Sequence, residues 1–156
     1  MSGLCRRKPL WELCQEGNVE GVREAVRQGK NVNGREESTG FTGLMYAATF
    51  RYNPLVKFLL KQQDIKINCQ SRDGATALHM ACLQDNVDAL SMLVRHPSMT
   101  SLNTKHNTGD TPIMTAVKNG RANCVRELVA LPGMDLKTRD SAGRSLEEVA
   151  RWVYTS

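Results

Sequence analysis

Apolar residues come in short bursts separated by polar, glycine-bearing joints. Leu10, Leu13 and Cys14 share a helical face that stops at Gly17, and Val19, Val22, Ala25 and Val26 follow Asn18 and stop at Gly29. A side-chain acceptor ahead of the first apolar residue and a glycine after the last are the start and stop marks of a helix. The spacing therefore predicts a pair of short helices, with Pro9 as first helical residue and Asn18 as cap of the second. The same phrase recurs downstream. Leu44–Ala48 precede Asn53-Pro54, read as a cap and a first helical proline, and then Leu55, Val56, Phe58, Leu59 and Leu60. Ala77–Cys82 precede Val87–Val94, and Ile113–Val117 precede Cys124, Val125, Leu128, Val129 and Leu131, with Pro132-Gly133 as the stop. Ile65 and Ile67, in the loop after the second pair, are expected to tuck beneath the helices.

Glycine and hydroxyl pairs set the period. Gly40 and Thr42, Gly74 and Thr76, Gly109 and Thr111, and Gly143 and Ser145 recur at spacings of 34, 35 and 34 residues. Each glycine fits a turn position with positive φ, and each hydroxyl fits a helix N-terminus. A period of about 33 residues with helix–turn–helix content is the mark of a stacked repeat. Units are expected over about 4–37, 38–71, 72–106, 107–140 and 141–156.

Gly74-Ala75-Thr76-Ala77-Leu78-His79-Met80-Ala81 reads G-x-T-x-L-H-x-A and resembles an ankyrin repeat. Thr42-Gly43-Leu44-Met45-Tyr46-Ala47-Ala48 is similar to the family's T-P-L-H-x-A-A, with Gly and Met in place of Pro and His. Gly109-Asp110-Thr111-Pro112 opens a further copy, and Gly29-Lys30-Asn31-Val32-Asn33 resembles the G-x-x-V-N leading from the second helix into the turn. The resemblance runs from about Pro9 to Trp152, as three full repeats between two atypical ones. It implies an all-α solenoid of helix–turn–helix units with β-turn or hairpin loops, forming a single domain over 1–156. The first unit lacks G-x-T and is expected to turn Arg6, Arg7, Glu16, Glu20 and Glu24 outward as a cap. In the last, Ser145 and Glu148 spell a capping box. The resemblance further implies that Thr76 and His79 are a structural hydrogen-bond pair, that Met45 forfeits the inter-turn bond of that histidine, and that Cys82 stands where the family usually has alanine.

Composition refines this picture. Apolar residues make up 40% of the chain but aromatics only 5%, so Leu, Val, Ala, Met and Cys must fill the core. Cys5, Cys14, Cys69, Cys82 and Cys124 are odd in number and contain no Cys-x-x-Cys, which reads as a reduced intracellular set. No secretory h-region follows Met1 and no apolar run approaches the roughly 20 residues of a membrane span, so a location in cytoplasm or nucleus without membrane attachment is expected; a monomer is expected too. The net charge of +5 comes from 21 basic and 16 acidic residues that are interleaved. The densest basic cluster, Arg6-Arg7-Lys8, reads as a solvated edge.

Catalytic signals are missing. His79, His96 and His106 lack the i, i+3 or i+4 partners of a helical metal site, and neither a phosphate-binding G-x-x-x-x-G-K-[ST] loop nor a G-x-S-x-G elbow occurs. Adjacent acids such as Glu36-Glu37 and Glu147-Glu148 diverge rather than face one another. No enzyme, cofactor or metal is expected. The resemblance implies instead that turn tips and first helices line a concave face that binds another protein. In this register Phe41, Phe50, Arg72, Ala75, Leu83, Asn107, Asp110, Lys118 and Arg144 are the candidate contacts, with Phe41, Phe50 and Arg72 as leading anchors and Trp11 as core or cap packing. The alternative is a basic surface of Arg72, Lys105, His106, Lys118, Arg121, Arg139 and Arg144 that recognises a phosphorylated or nucleic-acid ligand. Asn68, eight residues after Leu60, lies in the loop where some ankyrin proteins undergo asparagine hydroxylation.

Overall fold

The computed structural model describes residues 8–155; Leu4, Cys5, Arg6 and Arg7 lie outside the described residues. Within them the helices are α1 (Leu10–Gln15), α2 (Val19–Arg27), α3 (Gly43–Thr49), α4 (Asn53–Leu60), α5 (Ala77–Leu83), α6 (Val87–Val94), α7 (Pro112–Lys118), α8 (Ala122–Val129) and α9 (Leu146–Thr155). Side chains close most N-termini: Asn18, Thr42, Thr76, Asn86 and Thr111 each accept from the backbone N–H three residues on. Each such cap contributes about 1 kcal/mol, a large share of the stability of helices this short. Pro9 is the residue before α1 rather than its first helical residue. Asn53 is likewise inside α4, behind Tyr52, because its amide is engaged by Asn86 of the next repeat at 2.9 Å. The helix α8 closes at Val129, so Leu131 falls in the following loop.

The helices form two layers. α1, α3, α5, α7 and α9 pack side by side as an inner layer, and α2, α4, α6 and α8 pack behind them. Ala47, Ala48, Ala81 and Ala116 are fully buried in the inner layer, where the absence of bulk lets neighbouring helices approach closely. Leu55, Leu59, Leu78, Leu90, Leu93, Ile113 and Leu128 fill the space between layers, joined by buried Cys14, Cys82 and Cys124. Ile65 and Ile67 are buried, as the sequence leads one to expect.

Turns project from the inner layer. Gly40, Gly74, Gly109 and Gly143 all have φ between +72° and +84°. At Gly74 a Cβ would also lie 2.9 Å from Asn107 Oδ1, so conformation and space both require glycine. Each turn is tied to the next by backbone: Arg72 N–H donates to the Thr39 carbonyl at 2.9 Å and Asn107 N–H to the Asp73 carbonyl at 2.8 Å. At the opposite end of the repeats Asn33, Asn68 and Asn103 form a ladder. Each donates its amide to a carbonyl of the next loop, of Asp64, Ser98 and Gly133, and accepts from the N–H of Lys66, Thr100 and Asp135.

Candidate functional site

The backbone bonds between successive turns fix the turn tips in register beside the inner helices. At the N-terminal end of this surface the aromatic residues converge on Tyr46. Its ring lies 6.1 Å from Trp11, 5.2 Å from Phe41 and 6.2 Å from Phe50, the last pair being parallel within 1°, and Phe50 continues to Tyr52 at 5.9 Å. Five of the chain's eight aromatic residues thus meet on one patch. Phe50 is its most open member, at 47% exposure, while Phe41 is half-buried against Tyr46. The Tyr46 hydroxyl donates to the Glu36 carboxylate, which also accepts from the Thr39 hydroxyl at 2.5 Å. These bonds from Thr39 and Tyr46 hold the Glu36 carboxyl below its usual range, and burial together with that carboxylate pushes the Tyr46 phenol up. Helix α3 and its turn are thereby joined in the repeat where Met45 replaces the histidine.

The next repeat uses the histidine itself. His79, 1% exposed, receives the Thr76 N–H on Nδ1 at 3.2 Å and has Nε2 3.0 Å from the Asp110 carbonyl. A carbonyl only accepts, so the proton is assigned to Nε2 and the ring is neutral. Burial lowers its pKa. Beside it, Ala75, His79, Met80, Leu83, His106, Thr108, Asp110 and Thr115 line a shallow pocket of about 180 Å³ on the same surface.

Toward the C-terminal end the surface is ionic. The buried Asp140 carboxylate accepts from the N–H groups of Ala142 and Arg144 at 3.0 and 2.9 Å, and pairs with the Arg144 guanidinium at 2.8 Å and Lys118 at 3.4 Å. Lys118 also meets Asp110 at 2.7 Å. Burial acts to raise the Asp140 carboxyl, but the Arg144 backbone and side-chain bonds and Lys118 outweigh it and hold the group at about 2.

The candidate residues therefore separate into three groups. Phe41 and Phe50 join the aromatic patch; Arg72 is exposed beside it, its Cγ 3.2 Å from where a Gly40 side chain would begin. Leu83 lines the small pocket, and exposed Asn107 donates to the Arg72 carbonyl at 3.3 Å. Asp110 pairs with Lys118, and Lys118 and Arg144 both pair with Asp140, which leaves the expected basic surface neutralised where Lys118 and Arg144 contribute to it. Ala75 is 2% exposed, with its N–H on Ser71 Oγ and its carbonyl receiving Ser71 N–H, so it offers little surface beyond the floor of the small pocket. Tyr46 and Trp11 belong to the patch although sequence spacing marks neither as a contact. Asn68 is half-buried and holds both ladder bonds.

No helix among the described residues is long and apolar enough to cross a membrane. Residues 2–71 and 51–140 each match a family model described as ankyrin repeats in three copies. Neurogenic locus Notch protein of Drosophila melanogaster is 29% identical over 115 residues, covering 74% of this chain and 4% of that protein. Putative ankyrin repeat protein FPV031 of Fowlpox virus is 33% identical over 141 residues, covering 88% of this chain and 40% of that protein. SMC5-SMC6 complex localization factor protein 1 of Bos taurus is 40% identical over 67 residues, 42% of this chain and 6% of that protein. The chain thus spans less than half the length of each of these relatives.

Proposed function

We propose, on the premise that this chain belongs to the ankyrin-repeat family, that it is a non-enzymatic scaffold or adaptor that binds a partner protein on the face of turn tips and inner helices. Ankyrin repeats are in general protein–protein interaction modules, and stacked repeats bind through an extended surface. The observation that carries the finer reading is the aromatic patch. A chain this poor in aromatics gathers five around Tyr46 and leaves Phe50 half-exposed, with the Glu36 carboxylate on the Tyr46 hydroxyl and Arg72 packed beside Gly40, next to Phe41. Buried aromatic and arginine anchors are the residue types that dominate binding energy. An apolar side chain of the partner would seat on Phe41 and Phe50, and a partner carboxylate would reach Arg72.

The role we infer is that of a monomeric regulator of signalling or transcription in the cytoplasm or nucleus. A photo-crosslinking amino acid placed at Phe50 should capture a discrete protein from cell lysate. The same group at Leu136, an exposed apolar residue away from the patch, should not capture it. Equal capture from both positions would remove the patch from the account. Asn68 stays a proposed hydroxylation site whose two ladder bonds would have to open first. A mass gain of one oxygen atom on its peptide tests it.

A further inference from the structure

We propose that the outer-helix face of α2, α4 and α6 is a second docking surface, which takes an acidic, leucine-bearing segment of a partner protein. It is separate from the aromatic face and does not rest on it. The fifth residues of successive outer helices are Arg23, Lys57, Ser91 and Arg126, and one turn on stand Arg27, Lys61, Arg95 and Ala130. Cations thus recur on one strip at the repeat period. Lys57, Lys61 and Arg95 are exposed and have no ion pair or side-chain hydrogen bond among the described residues. Every residue of α4 is neutral or basic. The nearby acids are few: Glu20 lies 3.9 Å from Arg23, Glu24 pairs with Arg27 at 2.7 Å, Asp88 receives Asn53 at 3.5 Å, and Asp64 shares with Lys61 a separate groove at the end of α4.

Lys57 and Lys61 form a ridge between two grooves. On the α2 side a groove of about 470 Å³ has Pro54 and Phe58 beneath Arg23 and the two lysines. On the α6 side one of about 330 Å³ has Leu60, Met92 and Pro97 beneath the lysines and Arg95. Neither is lined by a carboxylate. Unpaired cations above apolar floors complement a chain that alternates carboxylates with apolar side chains. Nucleic acid fits less well, because the Arg23 guanidinium lies 5.1 Å over the Phe58 ring, the aromatic face a base would need. A bilayer fits less well too: none of the exposed large apolar residues, Phe50, Val129, Leu136, Trp152 and Tyr154, lies on α2, α4 or α6.

The test uses a fluorescein-labelled synthetic peptide alternating glutamate and leucine, with a glutamate–serine peptide as control, read by fluorescence anisotropy. The unmodified protein should bind the first peptide saturably and the second several-fold more weakly. Lys57→Glu/Lys61→Glu and the milder Lys57→Gln/Lys61→Gln should each lose at least about tenfold in affinity. Lys57→Arg/Lys61→Arg and Phe41→Ala/Phe50→Ala should retain it, and thermal melts should show every variant folded. The proposal is overturned by absent saturable binding to the unmodified protein or by undiminished binding to both charge-altered variants. Tighter binding to single-stranded DNA or to phosphatidylserine vesicles than to the peptide would overturn it equally.

Discussion

Nε2 of His79 donates to the carbonyl oxygen of Asp110 at 3.0 Å, so one buried imidazole fastens the start of α5 to the turn of the following repeat. Its Nδ1 holds the Thr76 N–H, which has nowhere else to go if the ring is removed. The two repeats are thus joined by this side chain as well as by apolar packing.

Replacing the ring should therefore be costly. His79→Leu leaves the Thr76 donor buried and unpaired, a loss of about 2 kcal/mol or more, measurable by urea denaturation. The neutral ring also gives a pH signature. Its folded pKa is lowered by burial, so the unfolded chain binds the proton first, and stability contributed by the neutral form falls as pH drops below the ordinary histidine value. The melting temperature of the unmodified protein should decline from pH 7 to pH 5 more steeply than that of His79→Gln.

Asp140 acts in the opposite range. Its folded value of about 2 lies below its ordinary value of 3.8, so its contribution is complete above the ordinary value and is lost as pH falls from there toward 2. Asp140→Asn should be less stable than the parent at pH 7, and the difference should shrink on titration toward pH 2. A difference independent of pH would show that packing, not charge, fixes Lys118 and Arg144.

Two glycines separate conformational strain from contact. Gly120 has φ +65° and open space around it, whereas Gly74 has φ +82° and the Asn107 amide at 2.9 Å from a would-be Cβ. Alanine at Gly120 should cost about 1 kcal/mol, and alanine at Gly74 at least about twice that. Equal losses in urea midpoints would mean that the Asn107 contact adjusts freely.

The sequence made local features legible and left cross-repeat ones hidden. Caps at Asn18, Thr42 and Thr76, the Ser145–Glu148 box and positive φ at four turn glycines depend on residues within one turn of each other, where residue type nearly dictates geometry. The burial of Ala75 is not legible either, because two-residue spacing along a turn does not say which side faces the core. Asp110, Lys118, Asp140 and Arg144 are up to 34 residues apart, and their convergence follows from stacking, which no local pattern reports. Tyr46 was hidden by its position inside a motif whose other members are core. A second periodic signal lies between the paired helices: Gly17, Arg51, Asp85 and Gly120 recur at spacings of 34, 34 and 35 residues, and all have positive φ. Arg51 tolerates that conformation while donating to the carbonyls of Gln84 and Asp85 at 3.0 and 2.6 Å.

Affinity capture from cell lysate, quantified by mass spectrometry, tests the aromatic face most directly. The unmodified chain and Phe41→Ala/Phe50→Ala would be compared after circular dichroism shows both folded; Phe50, being half-exposed, should cost little stability. The expected result is loss from the double variant of a partner that Lys57→Glu/Lys61→Glu still retains. Retention of every specific partner by Phe41→Ala/Phe50→Ala would contradict the assignment of this surface.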